Sequence, residues 1–535
     1  MSKVAKPAYH ERKKERMYAN IDIWQGKIAR VLVVLMLCVH PLYLNWDRYI
    51  RLTYHKFVFF VVCMVIILIA VAIVWVARLT RNPRLLPQDK LSIADWAVLG
   101  FSALTILSAI FSPFHGLEDA RGVVNNVWVG LAERYDGVFT QLLYVAIYFI
   151  VSRWYRPRIR DFTVFGISAS IIAFIGILQF YGMDFLKLWP QHIPEYRAEN
   201  FFNIYFRSTL GNINVVSTYV CVAILLNGFL FIRMTAKLQP LWLAASALSF
   251  WLMDLANSDS GLVGVLITVL FAIPFVVQSL VHLGRFLILA SSWLAVFIIQ
   301  MLFYNVVALG TRSPESLLPF LVVFVVLLAA GIFLSRWGKE PDPDSRVKWK
   351  HGVILMAVCI MAGFIGVEFM GRQNVERGYG RFVYEAREIM HGNIEHDMGS
   401  GRILIWEGAM EAFPAYPILG TGPDTFFHAT PEWIHVVGRV SFDKAHNEYI
   451  QILICQGILT LLAYLVFLSA VLVNSVREAF RNPLVMAVLA AFFGYCVQAF
   501  FNISLPIATQ MLWVFAGMLV STRFRETQLK DLVLN

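Results

Sequence analysis

The chain has 535 residues, of which 59% are hydrophobic and only 15% charged. Soluble domains run at about 25% charged and 45–50% apolar residues, so the composition excludes a soluble globular enzyme and implies an integral membrane protein. The net charge of +10 does not point to nucleic acid. The Lys and Arg fall in short clusters between apolar runs, the pattern that orients a polytopic protein.

Residues 1–29 are basic and polar and read as a cytoplasmic tail. The apolar run that follows has no A-x-A cleavage site, so it reads as a retained span. Apolar runs able to cross about 30 Å of hydrocarbon lie near 30–47, 55–78, 92–112, 137–152, 161–182, 214–233, 239–256, 260–277, 284–308, 317–335, 351–370, 447–473, 484–502 and 505–522. The expected fold is an all-α polytopic membrane protein of about fourteen transmembrane helices. Helices 1–11 fall in 30–370, helices 12–14 in 447–522, and a cytoplasmic tail in 523–535.

Charge supplies the orientation. With the N-terminus inside, the inner connections include 78–90, 153–160, 335–350, 474–482 and 521–526, each rich in Arg or Lys. Outer connections such as "NSDS" and "NIS" have no Lys or Arg, as the positive-inside rule requires. Three outer loops are long: 113–136, 183–213 and 371–446. Loops of that length are functional or disordered. The last mixes helix-like stretches with turn signals and reads as folded. The six cysteines all lie within apolar runs without a CxxC pair, which implies neither a disulfide framework nor a thiolate metal site.

Chemistry-bearing residues gather at the outer ends of spans. In "SFDKAHNEYIQILICQG", Asp443 can cap a helix whose third residue is His446. A helix N-terminus disfavours imidazolium, so His446 would be neutral and able to accept a proton; an interfacial His bonded to a neighbour is the alternative. In "GSGRILIWEGAMEAFPAYPILGTGPDTF", Arg402, Trp406, Ala409 and Phe413 share a helical face. Arg402 sits in a first turn, where a cation is misplaced unless an anion joins it. Otherwise it is a solvated Arg packed on Trp406. The "GTGPD" that follows is a turn and a weak phosphate-loop candidate, since no Walker pattern follows it. Arg207, before "GNIN", is a cation on the outer side, where a phosphate or diphosphate suits its planar fork and snorkelling to lipid is the other reading. Arg134, in "ERYDG", either pairs with Glu133 or Asp136 or joins the other arginines. The four groups Arg134, Arg207, Arg402 and His446 then share one side of the membrane, and such clusters are functional by default.

These segments resemble the O-antigen ligase and polymerase superfamily. "SGRILIWEGAMEAFPAYPILGTGPDTFFH" followed by "DKAHNEYIQILICQGILTLLAYL" carries the family's Arg and Trp, its Pro-x-x-Gly-x-Gly turn and its His-Asn-x-Tyr-x7-Gly segment in order. "FRSTLGNIN" and "ERYDGVFTQLLY" are similar to two further elements, and the resemblance extends over about 90–520. It departs at "NSDSGLVG", where many members have Ser-Arg-Gly, and in having more spans than the usual twelve. The resemblance implies a GT-C-like glycosyltransferase architecture with a large helical outer loop. It implies an inner-membrane enzyme that moves a glycan from undecaprenyl diphosphate to a glycan or glycolipid acceptor on the extracytoplasmic side. Arg207 and Arg402 would then hold the donor diphosphate and His446 would activate the acceptor hydroxyl. Arg134, Asn214, Trp406, Asn447 and Tyr449 are the expected substrate-binding residues.

The physics of the reaction agrees. Breaking a sugar–diphosphate bond builds negative charge that arginines stabilise, and a neutral His takes the acceptor proton. One such displacement inverts the anomeric centre. No outer loop has an Asp-x-Asp pair, so a metal-bound nucleotide sugar is not the expected donor; no metal, cofactor or nucleic-acid partner is expected. Two rival classes stay open. A transporter or flippase would need charges near the midplane, whereas Asp254, Asp259 and Glu368 lie near span ends. An assembly protein could use the large loop for docking; its His391, His396, His428, His435 and His446 have no i, i+4 metal-ligand spacing.

Overall fold

A computed structural model of the protein describes residues 9–80, 90–118, 124–188, 208–234, 237–256, 258–306, 317–338, 349–372, 379–396, 398–431 and 442–526. Among these residues the structure is helical, with one isolated bridge between Glu118 and Val124 as its only β pairing. The helices are α1 (Tyr9–Val34), α2 (Leu52–Leu79), α3 (Ile93–Ile110), α4 (Val138–Trp154), α5 (Ile159–Phe180), α6 (Ile213–Arg233), α7 (Gln239–Ala256), α8 (Asp259–Val276), α9 (Leu280–Val306) and α10 (Leu317–Trp337). The chain continues with α11 (Trp349–Met370), α12 (Tyr379–Met390), α13 (Met398–Ala412), α14 (Phe426–Ala429), α15 (Glu448–Ala479), α16 (Pro483–Gln498), α17 (Gln510–Val520) and α18 (Thr522–Glu526).

Ten of these helices are long and apolar enough to cross a membrane, and helices satisfy every backbone group internally, as hydrocarbon demands. Within the described residues each of the fourteen apolar runs contains helix, ten of them long and apolar enough to span, and at the ends they differ from expectation. The N-terminal segment is helical from Tyr9, and α1 runs on through a π-helical turn (Leu35–Val39) to Leu42. The run 505–522 contains only the 11-residue α17, which at 1.5 Å per residue spans about half of a bilayer core.

The core forms around α6, whose apolar window is wholly buried among α7, α8, α9 and α16. Helices α10 and α11 are almost wholly exposed along theirs, as lipid-facing helices would be. Start signals are explicit. Ser92 and Asp95 form a capping box at α3, and Asn482 caps α16 with Pro483 in its first turn.

The long helix α15 is broken at Gly457 (φ 80°), and the "PAYPILGTG" turn plugs the break. Thr421 and Gly422 N–H donate to the carbonyls of Ile454 and Cys455 (3.1 and 2.7 Å), and Ile458 N–H donates to Pro417 (2.9 Å). Backbone groups freed inside a membrane bundle need such partners. A Cβ at Gly457 would lie 2.1 Å from the Ile418 carbonyl oxygen. The glycine-rich turn is therefore a structural plug, which answers the phosphate-loop reading of "GTGPD".

Candidate active site

Helix α15 starts one turn later than expected. Asn447, not Asp443, is its N-cap; the Asn447 side chain accepts from the N–H of Tyr449 and Ile450 (3.0 and 3.1 Å). His446 lies just outside the helix in a left-handed conformation (φ 50°). The Asp443 carboxylate is not free to cap, because Arg134 holds it at two points, with Nε and Nη2 each 3.0 Å from a carboxylate oxygen.

Every neighbour of His446 is pinned. Lys444 Nζ is buried 3.0 Å from Asp136 and 2.7 Å from Asp424. Burial works against the ammonium, but Asp136 and Asp424 more than offset it and raise the Lys444 pKa. Asp424 also accepts from the Leu131 N–H (2.7 Å), and Asp136 accepts from Ser504 Oγ (2.5 Å). Ala445 N–H donates to Gln451 Oε1 (2.8 Å), and its carbonyl accepts from Trp406 Nε1 (3.0 Å). A residue that must adopt positive φ without being glycine costs roughly 1–3 kcal/mol and persists only where its surroundings over-determine it. These contacts on either side of His446 do so.

The result is a cavity of about 220 Å³ lined by His446, Arg402, Asn214, Asp259, Ser258 and Ser400, with Ile405 and Phe442 as apolar walls. Four elements meet there: the start of α6, the α7–α8 corner, the start of α13 and the strap before α15. Arg402 begins the regular part of α13 after three residues of positive φ (399–401). Its Nη1 donates to the Gly399 carbonyl (2.7 Å), while its buried Nε–H has no partner. Burial lowers the Arg402 pKa, with Asp259 and Glu385 opposing, and a guanidinium stays charged regardless. Burial first, then Arg402, lowers the His446 pKa to about 4 against the pull of Asp443. The imidazole is thus neutral at pH 7, for a reason other than the helix-dipole argument: burial beside a fixed cation.

The structure brings together three of the predicted site residues, His446, Arg402 and Asn214. Arg207 lies outside the described residues, as does His435. Arg134, Trp406 and Asn447 stand behind the cavity as supports, and Tyr449 is tied to the Cys496 carbonyl by its hydroxyl (2.7 Å). Asn447 keeps a buried Nδ2 without a partner. Sequence reasoning missed Asp259 as a cavity residue, having read it as a polar span end. The signal was its place in "NSDSGLVG", the one motif that departs from the family pattern. Among the described residues no three His, Cys, Asp or Glu side chains converge to hold a metal ion. His391 pairs with Glu368 and His396 with Glu407, both at 2.8 Å.

Residues 302–465 match the O-antigen ligase family model. That segment is similar to the O-antigen ligase family. The matched segment includes α10 to α14 and the N-terminal half of α15, and hence Arg402, Trp406, His446, Asn447 and Tyr449. Arg134, Arg207 and Asn214 lie upstream of it. Comparison with curated proteins gave no match. The match and the apolar helices together support an O-antigen ligase-like, multi-pass membrane enzyme; that family implies lipid-linked glycan and acceptor substrates in general.

Proposed function

We propose that the protein transfers a glycan from undecaprenyl diphosphate to a sugar hydroxyl of a glycan or glycolipid acceptor, at the extracytoplasmic face of the cytoplasmic membrane. The observation that carries this reading is the shared cavity of His446 and Arg402, both of which lie in the segment that matches the O-antigen ligase family model. At about 220 Å³ it is smaller than pockets that enclose a whole ligand, roughly 300–1,000 Å³. It suits the reacting groups, with the lipid and the glycan extending outside.

In the proposed step the acceptor oxygen attacks the anomeric carbon of the donor as His446 takes its proton. The bond from that carbon to the diphosphate oxygen breaks, and its electron pair leaves with the diphosphate. Arg402, with its unpartnered Nε–H, and Arg207 from the preceding outer loop stabilise the developing charge. A single displacement inverts the anomeric centre. Asn214 and Asn447 orient the sugars, and the step needs no metal.

The test is reconstitution of the purified full-length chain with a lipid-linked glycan and candidate acceptors. Transfer that releases undecaprenyl diphosphate is expected; movement of the intact lipid-linked glycan across the bilayer without transfer would favour a flippase and overturn the reading. Glycan analysis of a deletion strain then separates the two enzyme types. Lost attachment identifies a ligase, and shortened chains identify a polymerase.

A further inference from the structure

We propose that Asp259 is a specificity-determining residue: it accepts hydrogen bonds from the sugar joined to the diphosphate and keeps an acidic sugar out of that place. The inference rests on the glycan-transfer reading and gives a role to a carboxylate which that reading leaves unused. Among the described residues Asp259 is the only Asp or Glu that lines the His446 cavity. It makes no ion pair or hydrogen bond with another described residue. Its electrostatic neighbours are Arg402, of opposite sign, and Glu385, of the same sign. Glu385 is itself engaged by Arg381 (2.6 Å) and by the Gly399 N–H (3.0 Å).

The local fold explains the residue type but not its place. Asp259 opens α8, and an acidic residue is favoured in the first turn of a helix. That preference does not require the side chain to line a cavity with a buried guanidinium. The hydroxyls on either side are spent on each other: Ser258 lies 3.1 Å from Ser260, and Ser260 lies 3.3 Å from Ser217. They fix the turn and leave the Asp259 carboxylate to the cavity.

Charge decides what this carboxylate can face. It has acceptor oxygens and no donor, and a like charge set against it is repelled. Diphosphate oxygens therefore go to Arg402, and Asp259 meets hydroxyl or amide N–H groups. The charges that act on His446 are Arg402, Asp443 and Arg134, whereas Asp259 acts on Arg402. The carboxylate thus belongs to the Arg402 side of the cavity, where the proposed reading puts the diphosphate and the sugar bonded to it. As that bond breaks the sugar gains positive charge, so its hydrogen bonds to a carboxylate strengthen in the transition state. Such a contribution appears in kcat more than in KM. In a cavity of about 220 Å³ a charge on the sugar lies within a Debye length of Asp259, about 10 Å. An acidic sugar would add an anion where Arg402 is the only Lys or Arg among the described lining residues.

The experiment uses the full-length chain in proteoliposomes with two undecaprenyl diphosphate glycans. They differ only in the first sugar, which is a hexose in one and the matching hexuronic acid in the other. Wild type should favour the neutral glycan about tenfold or more in kcat/KM. Asp259→Asn keeps an acceptor oxygen and loses the charge. It should bring that ratio close to one and lower kcat for the neutral glycan, with KM unchanged. Asp259→Glu should keep the preference. The ratio is internal to each protein, so a smaller folded fraction does not alter it. Where a variant turns over too slowly, competition binding of the two glycans gives the same ranking. Equal use of both glycans by wild type, or an unchanged ratio in Asp259→Asn, overturns this proposal and leaves glycan transfer standing. Transfer of neither glycan by wild type overturns both.

Discussion

Arg134 and Asp443 are joined by a two-point ion pair: Arg134 Nε lies 3.1 and 3.0 Å from the two carboxylate oxygens, and Nη2 lies 3.0 Å from Oδ1. The pair ties the loop before α4 to the strap that carries His446. We propose from this pairing that Arg134 positions the strap, where the sequence reading expects a substrate contact. Lys cannot reproduce the fork, so Arg134→Lys should lower turnover about tenfold, the worth of a lost charge-assisted contact, with the donor KM unchanged. Combining Arg134→Ala with Asp443→Ala should cost little more than either alone, because the two act as one unit. Full additivity of the two losses in a double-mutant cycle would separate them.

Lys444 sits between Asp136 and Asp424 in the buried layer below the strap. Removing one partner from a buried ionic cluster costs about 3–5 kcal/mol, because the remaining charges lose their compensation. Lys444→Met should accordingly lower the melting temperature and the yield of folded protein. Adding Asp136→Asn and Asp424→Asn should recover part of the loss. A melting temperature equal to wild type in Lys444→Met would show the cluster to be energetically idle.

On the proposed reading, Arg402 is the cation that the cavity offers to a leaving diphosphate. Arg402→Lys should reduce transfer on the order of a hundredfold, the scale of a few kcal/mol of transition-state stabilisation. Folding should be retained, since Lys keeps the charge and the aliphatic stem. Wild-type rates in this variant would make Arg402 a packing residue of the Trp406 face.

Sidedness is checked by labelling. A single Cys at His396, exposed on the large loop, should react with a membrane-impermeant reagent in intact cells. A Cys at Lys90 should react only after permeabilisation. The reverse pattern would invert the orientation and with it the extracytoplasmic placement of the reaction.

Much of this architecture was legible because apolar runs and Arg/Lys clusters are local signals, and the helices follow them. What stayed hidden depends on partners far apart in the chain. Asp443 and Asn447 are both competent caps by residue type. The helix starts at Asn447 because Arg134, from a loop before α4, has taken the Asp443 carboxylate. The Lys444 cluster draws on residues 136, 424 and 504, and no periodicity reports such a meeting. The "GTGPD" turn looked like a loop because its hydrogen bonds go to a helix broken at Gly457, which cannot be read without knowing that the helix breaks. The residues in the cavity were found where polar groups mark the end of a span, and Asp259 was passed over for the same appearance.

His446 gives the most discriminating test. Its φ of 50°, its pinned neighbours and its place in the cavity present a neutral imidazole to that cavity. His446→Ala should fold and bind donor, yet lose roughly 10²–10⁴ in turnover, the usual worth of a general base. The pH dependence has a defined sign. Burial beside Arg402 lowers the pKa to about 4, so the base is deprotonated throughout pH 6–8 and the His446-dependent rate should be flat there. It should fall only as pH approaches 4. Stability moves in the same direction for a related reason. The unfolded chain takes up the His446 proton near its ordinary value of about 6.5, while the folded chain resists until about 4. The unfolded state therefore binds more protons between these values, and this contribution to stability is complete above about 6.5 and is lost progressively as pH falls towards 4. His446→Ala should remove that acid sensitivity along with the rate. A variant that transfers glycan at the wild-type rate, from a purified lipid-linked donor, would leave "HNEY" as no more than the polar entrance of a span.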